Sequence, residues 1–219
     1  AGAFSLCEQI QKVEFESDSK LNTIDKEAFA FSSISFLSIP SGVVEFKEGW
    51  CAGTQKLKKV TILPNKVTNV IYYEDKLLIG KSDIKSDKFD VLYFVNRDVQ
   101  TVTIPPSVTK IESYAFSQSL IENIVIPHHI TQIFEKAFIW CKMLKNVEIS
   151  SESKIQTIEE NVFADSSIES LSIPSSIFEL KHGWCNGMPK IKKLTIIENK
   201  VHNLSSFDNN LVLGKSDMK

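Results

Sequence analysis

The sequence repeats a short unit about every 22–24 residues, and this period constrains the fold more than any other feature. Eight segments follow a pattern close to L-x-x-L-x-I, and they end at residues 15, 39, 62, 104, 126, 149, 173 and 196. Ile-Pro closes several of these segments, and a stretch that ends in Ala-Phe follows, most clearly at 107–116 and 129–138. A unit this short cannot bury its apolar side alone, so such units must stack on one another.

Each unit supplies a short β-branched strand, a turn with proline, a second extended piece and a turn that carries an aromatic side chain. Stacking of equal units places Ile on Ile and Phe on Phe, with parallel strands about 4.8 Å apart. The repeat therefore predicts a right-handed, β-rich solenoid of stacked short parallel strands joined by short helical or irregular turns.

A longer period of 134 residues lies over the short one. Residues 3–85 align with residues 137–219 without a gap, and about half of the aligned positions are identical. We expect one solenoid array over 1–219 that contains these two copies. In a repeated Gly-Trp-Cys block, Trp50 and Trp184 take the place of the Ala-Phe phenylalanine. The block is therefore predicted to be a large plug in a wider turn, with glycines at tight corners, and not a duplicated active site.

Residues 64–98 depart from the short unit. We interpret them as an enlarged coil with two strands, Lys76–Gly80 and Val91–Val95, joined by a polar turn over 81–90. The sequence begins and ends inside a repeat, without a polar unit that would cover a strand edge. We therefore expect the array to be a fragment of a longer chain that continues in both directions, and copies to associate end to end.

Charge and hydropathy narrow the classes of partner. The net charge is −2, and only Arg97 among the 25 basic residues is an arginine. A nucleic-acid-binding protein normally carries a basic face, so no nucleic-acid partner is expected. No apolar run reaches the roughly 18–20 residues that span a bilayer, so no membrane segment is expected in this sequence.

The sequence offers no catalytic, cofactor or metal motif. His182 lies three residues before Cys185, but Glu48 holds that position in the other copy, so a Cys–His pair is not a feature of the unit. The adjacent His128 and His129 suit a solvent-facing turn better than a metal site. The four cysteines show no C-x-x-C spacing, and we expect four free, mostly buried thiols. We therefore expect no enzyme activity, no cofactor and no metal.

The repeats resemble the BspA-like leucine-rich repeat. The segments AFIWCKMLKNVEI (137–149) and IPPSVTKIESYAF (104–116) carry that pattern, and the resemblance covers nearly the whole chain. The EGWC block, followed by LIGKSD and FDVLYF, is similar to a long variant found in trichomonad surface antigens of this family. The resemblance implies a leucine-rich-repeat horseshoe or flattened coil with its strands on the concave side. It also implies a place at the cell surface or outside the cell, and adhesion to host proteins or neighbouring cells.

Strand residues that face out of the stack can vary without harm to the core, and solenoids recognise partners through such positions. Phe36 is expected to be an exposed aromatic, which would anchor an interface. Two lysine pairs, Lys58–Lys59 and Lys192–Lys193, would present two positive patches to an acidic or sulfated partner. We therefore predict that a host or extracellular-matrix protein binds a set of five residues on this face: Phe36, Lys58, Lys59, Lys192 and Lys193.

Two functions remain open at this point. The first is a non-enzymatic protein-recognition module of a BspA-like cell-surface antigen that mediates adhesion to host proteins or cells. The alternative is an intracellular leucine-rich-repeat scaffold for protein–protein interaction, in the cytoplasm. The four cysteines without an evident pairing favour the alternative, because secreted proteins commonly form disulfides.

Overall fold

A computed structural model describes residues 1–200, 203–207 and 211–214 of the chain. These residues form short β-strands joined by turns. In chain order the strands are β1 (Lys12–Val13), β2 (Thr23–Ile24), β3 (Phe36–Pro40), β4 (Glu45–Phe46), β5 (Lys59–Leu63), β6 (Val70–Tyr73), β7 (Leu77–Gly80), β8 (Val91–Val95), β9 (Lys110–Ile111), β10 (Asn123–Ile126), β11 (Gln132–Ile133), β12 (Asn146–Ile149), β13 (Thr157–Ile158), β14 (Ser170–Pro174), β15 (Glu179–Leu180), β16 (Lys193–Ile197), β17 (Leu204–Phe207) and β18 (Leu211–Gly214).

Seven of the eight repeat segments form the first layer of the stack, which we call the strand face. Strands β1, β3 and β5 form one parallel sheet, and β10, β12, β14 and β16 form another. The register places Phe36 beside Lys12 on one side and beside Lys59 on the other. Equivalent residues of successive coils are therefore neighbours, and the predicted solenoid of stacked parallel strands is confirmed.

A second layer of shorter parallel pairs closes the other side of the stack. Strand β2 pairs with β4, β9 with β11, and β13 with β15. The Ala-Phe phenylalanines fill the turn side of the core between the layers. The rings of Phe116 and Phe138 stack with centroids 4.6 Å apart, and those of Phe138 and Phe163 stack at 5.5 Å. This row of rings confirms the predicted aromatic plug of each turn.

Trp50 fills the core as a large plug, as the sequence predicted, but Cys51 and not Trp50 takes the phenylalanine position: the Phe29 amide donates to the Trp50 carbonyl as the Phe138 amide donates to the Val162 carbonyl. The Trp50 indole is 2% exposed and lies 4.9 Å from the ring of Phe46, 5.9 Å from Phe94 and 6.5 Å from Phe29. Trp184, its counterpart, is half-buried and packs against the core. The repeated block is therefore a packing feature, because its largest side chain packs into the interior of the stack.

Of the two kinds of turn expected, helical or irregular, the turns that carry the aromatic plugs in the described residues are irregular. Each turn contains two residues with a left-handed backbone, four positions apart, and such residues cannot continue a right-handed helix. These pairs are Gly2 and Leu6, Glu27 and Phe31, Gly49 and Gly53, Tyr114 and Gln118, Lys136 and Trp140, Asn161 and Asp165, and Gly183 and Gly187. The flanking glycines of both Trp blocks thus occupy the tight corners predicted for them.

The enlarged coil over 64–98 forms an antiparallel meander of β6, β7 and β8. Strands β7 and β8 match the two predicted strands, although β7 starts one residue later, whereas β6 was not predicted. Strand β8 then pairs in parallel with β9, so the meander continues the second layer. Strands β17 and β18 pair as β6 and β7 do, with each residue 134 positions later in the chain.

The segment over 99–104 was predicted as a strand, and this prediction is wrong. One backbone hydrogen bond, from the Glu122 amide to the Gln100 carbonyl at 3.4 Å, joins it to another coil within the described part of the chain. The chain enters this segment from β8 through 96–98 alone. The Arg97 amide bonds to the Leu57 carbonyl, and β6 lies beside β5, so no regular ladder forms here. This coil consequently lacks the turn that carries a plug in the others.

Candidate partner-binding site

Phe36 is the centre of a small cationic patch on the strand face. Lys12 Nζ lies 5.2 Å from the centroid of its ring, and Lys59 Nζ lies 5.9 Å from it. Both distances are within the range of cation–π attraction. The two lysines cover part of the ring, so Phe36 is half-buried rather than exposed as the sequence suggested.

The lysines of this patch differ in their electrostatic partners. Lys12 forms an ion pair of 2.8 Å with Glu14. Lys58 and Lys59 are exposed, and neither forms an ion pair with any residue in the described ranges. We call Lys12, Phe36, Lys58 and Lys59 the first-copy patch. It presents one aromatic edge and two unneutralised ammonium groups to solvent.

The corresponding surface of the second copy has different chemistry. Ser170 occupies the position of Phe36, and it pairs in register with Lys193. Lys192 forms an ion pair of 2.7 Å with Glu169, which replaces Ser35 of the first copy, and this hydrogen bond lowers the pKa of Glu169. The predicted residues Lys192 and Lys193 therefore lie on the same face as the first-copy patch but in a separate environment, without an aromatic partner and with one charge neutralised.

A row of alternating charges runs along this second half of the strand face. Glu122, Lys145, Glu169 and Lys192 immediately precede β10, β12, β14 and β16 at equivalent positions. Lys145 pairs with Glu122 at 2.8 Å, and this hydrogen bond raises the pKa of Lys145. Each charge thus has an opposite charge on a neighbouring coil, and the net charge of the row is zero.

The cysteines are all free thiols, and all four lie in the part of the chain that the structure describes. Cys51 and Cys141 are buried, Cys7 is half-buried and Cys185 is exposed, so fewer are buried than the sequence suggested. Burial raises the pKa of both Cys51 and Cys141 to about 11. Such thiols are poor nucleophiles at neutral pH, because the reactive species is the thiolate.

Metal-binding groups are scattered along the described residues. No set of three or more His, Cys, Asp or Glu side chains in that part of the chain is placed to hold a metal ion. The rings of His128 and His129 meet edge to face at 5.6 Å, and burial lowers the pKa of His129. In the 81–90 turn, Asp90 accepts hydrogen bonds from the amide and the hydroxyl of Ser82 at 2.8 and 2.6 Å, so its carboxylate is engaged within the turn.

The structure also forms a surface cleft that the sequence did not predict. It lies at the turn edge where the plug-carrying turn is missing, and its volume is about 540 Å³. We call it the turn-edge cleft. Its lining includes Phe31, Lys58, Arg97, Leu120, Trp140 and Met143. One signal in the sequence marks it: the position two residues after the Ala-Phe phenylalanine is aromatic only at Phe31 and Trp140, and both line the cleft.

Arg97 takes the place of the missing plug beneath this cleft. Its guanidinium lies 4.4 Å from the ring centroid of Phe94 and donates hydrogen bonds to the carbonyls of Ala115 at 3.0 Å and Tyr114 at 3.3 Å. A third contact, of 3.6 Å, joins it to the sulfur of Cys51. Arg97 is fully buried, and burial lowers its pKa. The only arginine of the chain is thus an internal structural group.

No helix among the described residues has both the length and the apolar character needed to cross a membrane.

Comparison with known proteins gives a family and a fold. The model of the BspA type leucine-rich repeat region matches six copies over residues 1–76 and 87–212. No curated protein matches the sequence.

Several crystal structures resemble the chain, including the following two. A leucine-rich cell surface protein from Faecalibacterium prausnitzii superposes with a TM-score of 0.72 at 19% identity, over 89% of this chain and 55% of its own. A leucine-rich repeat protein from Eubacterium ventriosum superposes with a TM-score of 0.63 at 17% identity, over 90% of this chain and 56% of its own. The chain therefore spans a little over half the length of these structures. At this identity the likeness concerns the fold, while the family match extends over nearly all of the sequence. This chain belongs to the family of BspA type leucine-rich-repeat proteins.

Proposed function

We propose that this chain is a non-enzymatic protein-recognition module of a cell-surface antigen, and that it mediates adhesion to a host or extracellular-matrix protein through the strand face. The observation that carries the proposal is the first-copy patch. A half-buried aromatic ring between two ammonium groups is a preformed anchor, because the lysines restrict its motion before a partner arrives. The similar crystal structure from Faecalibacterium prausnitzii is described as a cell surface protein, which supports the location.

The chemistry of the patch favours an acidic or sulfated partner. Lys58 and Lys59 have no carboxylate partner within the described residues, so a carboxylate or sulfate of the partner would supply the missing counter-charge. Contacts between exposed charges are individually weak and are screened by salt. Binding should therefore need several contacts at once and weaken as the ionic strength rises. Lys192 and Lys193, which lie on the same face, would add a second and weaker contact region.

The two copies provide a matched experiment. Phe36→Ser combined with Lys58→Ser and Lys59→Ser removes the first-copy patch at positions outside the core. Glu169→Ser combined with Ser170→Phe installs its aromatic and unneutralised lysines in the second copy. We expect the first variant to bind host cells and coated matrix protein at least about tenfold more weakly, and the second to restore part of that binding when added to it. Equal adhesion of the parent and the first variant, both folded, would exclude the strand face.

The intracellular scaffold is the second candidate, and the four free thiols favour it. Protease protection on intact cells separates the two locations. External trypsin should remove an epitope in this chain if the protein is displayed at the surface, and should leave it intact if the protein is inside the cell. A cytosolic marker protein, tested in parallel, controls for leakage.

A further inference from the structure

The turn-edge cleft concentrates exposed apolar surface in one place. Phe31 is 48% exposed, Leu120 43% and Met143 42%, and all three line the cleft together with the half-buried ring of Trp140. Large apolar side chains that are exposed singly are common, but a contiguous group with a concave shape is typical of an interaction site. Methionine adds adaptability, because its thioether chain can repack around different side chains.

The cleft is a consequence of the coil that lacks a plug-carrying turn. On one side Phe31 packs over Gly53, where a Cβ would come within 2.3 Å of its ring. On the other side Trp140 contacts both Phe31 and Tyr114, with ring centroids 5.7 and 6.3 Å away. These aromatic walls come from regular turns on either side of the irregular coil, so the cleft has a rigid frame.

The charged side chains of the cleft are mostly cationic. Lys58 and Lys142 line it with no ion-pair partner in the described parts of the chain, while Asp98 is the one acidic side chain of the lining. Lys142 Nζ donates to the Asp165 carbonyl at 2.5 Å, which ties this side chain to the neighbouring turn. Gln118 also lines the cleft, and its buried Oε1 accepts no hydrogen bond from any described residue.

From this arrangement we infer that the turn-edge cleft is a second docking site, for a segment of a partner protein that carries an aromatic or aliphatic side chain between carboxylates. The apolar side chain would lie against Phe31, Trp140 and Met143. The carboxylates would face Lys58 and Lys142, and a backbone N–H of the segment would donate to Gln118 Oε1. The turn-edge cleft overlaps the first-copy patch at Lys58 alone.

Titration with a defined peptide tests the inference. The probe is Ac-Glu-Trp-Leu-Glu-NH2, followed by ¹H–¹⁵N NMR of the whole chain, and the charge-reversed peptide Ac-Lys-Trp-Leu-Lys-NH2 is the first control. We expect saturable shifts of the Leu120 and Met143 amides and of the Trp140 indole, with half-saturation at about 1 mM or below. The lysine peptide should shift these signals at least about fivefold less at the same concentration, because its charges oppose those of the rim.

Variants at exposed positions separate the cleft from other surfaces. Lys142→Glu and Met143→Glu should each weaken binding of the acidic peptide at least about fivefold. Phe178→Glu, at a side chain that is 74% exposed elsewhere, should leave it unchanged. Equal binding of both peptides, shifts centred on Phe36, or no saturable shift would overturn the inference. Shifts of the cleft signals with protein concentration alone would assign the cleft to a second copy of the chain, and would also overturn it.

Discussion

The rings of Phe31 and Trp140 lie 5.7 Å apart across the coil that lacks a plug-carrying turn. The two residues belong to regular turns on opposite sides of that coil, and each sits in the left-handed conformation that projects its side chain from the turn. Lys136 reinforces this bridge, because its ammonium lies 5.6 Å from the centroid of the Tyr114 ring and 3.7 Å from a carboxylate oxygen of Glu48. Side chains thus connect the two halves of the array where strand hydrogen bonds are few.

Removal of this aromatic bridge should loosen the connection between the two halves. Phe31→Ala and Trp140→Ala are each expected to lower the free energy of unfolding by about 1–3 kcal/mol, since both side chains are partly exposed. The double variant should cost less than the sum, with a coupling of about 0.5–1.5 kcal/mol. Urea denaturation, monitored by circular dichroism, measures the free energy of unfolding of the two single variants and the double variant. Leu6→Ala, at an equivalent turn position that is 70% exposed, is the control and should have little effect.

Arg97 should contribute more to stability than a surface cation would. Arg97→Ala removes the hydrogen bonds to the Tyr114 and Ala115 carbonyls and leaves a cavity beside Phe94, which should cost about 3 kcal/mol. Arg97→Met keeps most of the volume and removes a buried charge, so it should cost about half as much. Denaturation midpoints of the two variants provide the comparison. Equal midpoints for Arg97→Ala and the parent chain would contradict the structural role.

The four thiols should differ in reactivity in a set order. Cys185 is exposed and should react first with a thiol reagent at pH 8, followed by half-buried Cys7. Cys51 and Cys141 should react far more slowly, because both are buried and their pKa of about 11 leaves roughly one thousandth as thiolate at that pH. Their reaction should accelerate as the pH rises towards 11, when the thiolate form becomes populated.

Denatured, non-reduced protein should react at four sites. The Cys185→Ser variant should lose the fastest phase and one equivalent. A count of two or none in the denatured parent would reveal a disulfide, and would require a different order of coils from the one described.

The two tryptophans of the repeated block should differ in their contribution to stability. Trp50→Ala should cost about 3–5 kcal/mol, because this indole is enclosed by three other aromatic rings. Trp184→Ala should cost less, since this indole is only half-buried. Chemical denaturation of both variants measures the difference, and the indole fluorescence of each single variant reports the remaining sites. A larger loss for Trp184→Ala would contradict the observed burial.

The regular coils could be predicted from the sequence because their physics is local and repeated. Each Ile or Phe of the unit meets its own counterpart on the next coil, so periodicity alone identifies the core, as with Phe116 and Phe138. Strands β7 and β8 were predictable for a related reason, since each is a short apolar run between polar turns. Trp50 was recognisable as a plug because a large aromatic residue stands beside the place of the usual phenylalanine in the unit.

The irregular coil could not be predicted in the same way, because its structure depends on a strand partner and a plug-carrying turn that are missing there. The 99–104 segment has the strand pattern, yet a strand needs a partner in register, and β6 lies beside β5. The cleft residues were missed for the converse reason. Phe31 and Trp140 come together only because a turn between them is missing, and Arg97 is buried only because it fills the place of that turn. The lysine clusters were visible as sequence repeats, but the neutralisation of Lys192 by Glu169 depends on a residue in which the two copies differ.

The charges of Glu122, Lys145, Glu169 and Lys192 alternate in sign from coil to coil, so an even number of added or lost coils preserves the alternation and an odd number does not. Duplication or deletion of a single coil in this region would set two like charges side by side, about 4.8 Å apart along the stack. Gain or loss of coils in pairs keeps every acid beside a base. Loss of one interior coil should therefore be less favourable than loss of two adjacent coils, by about the few tenths of a kcal/mol that one contact between exposed charges contributes.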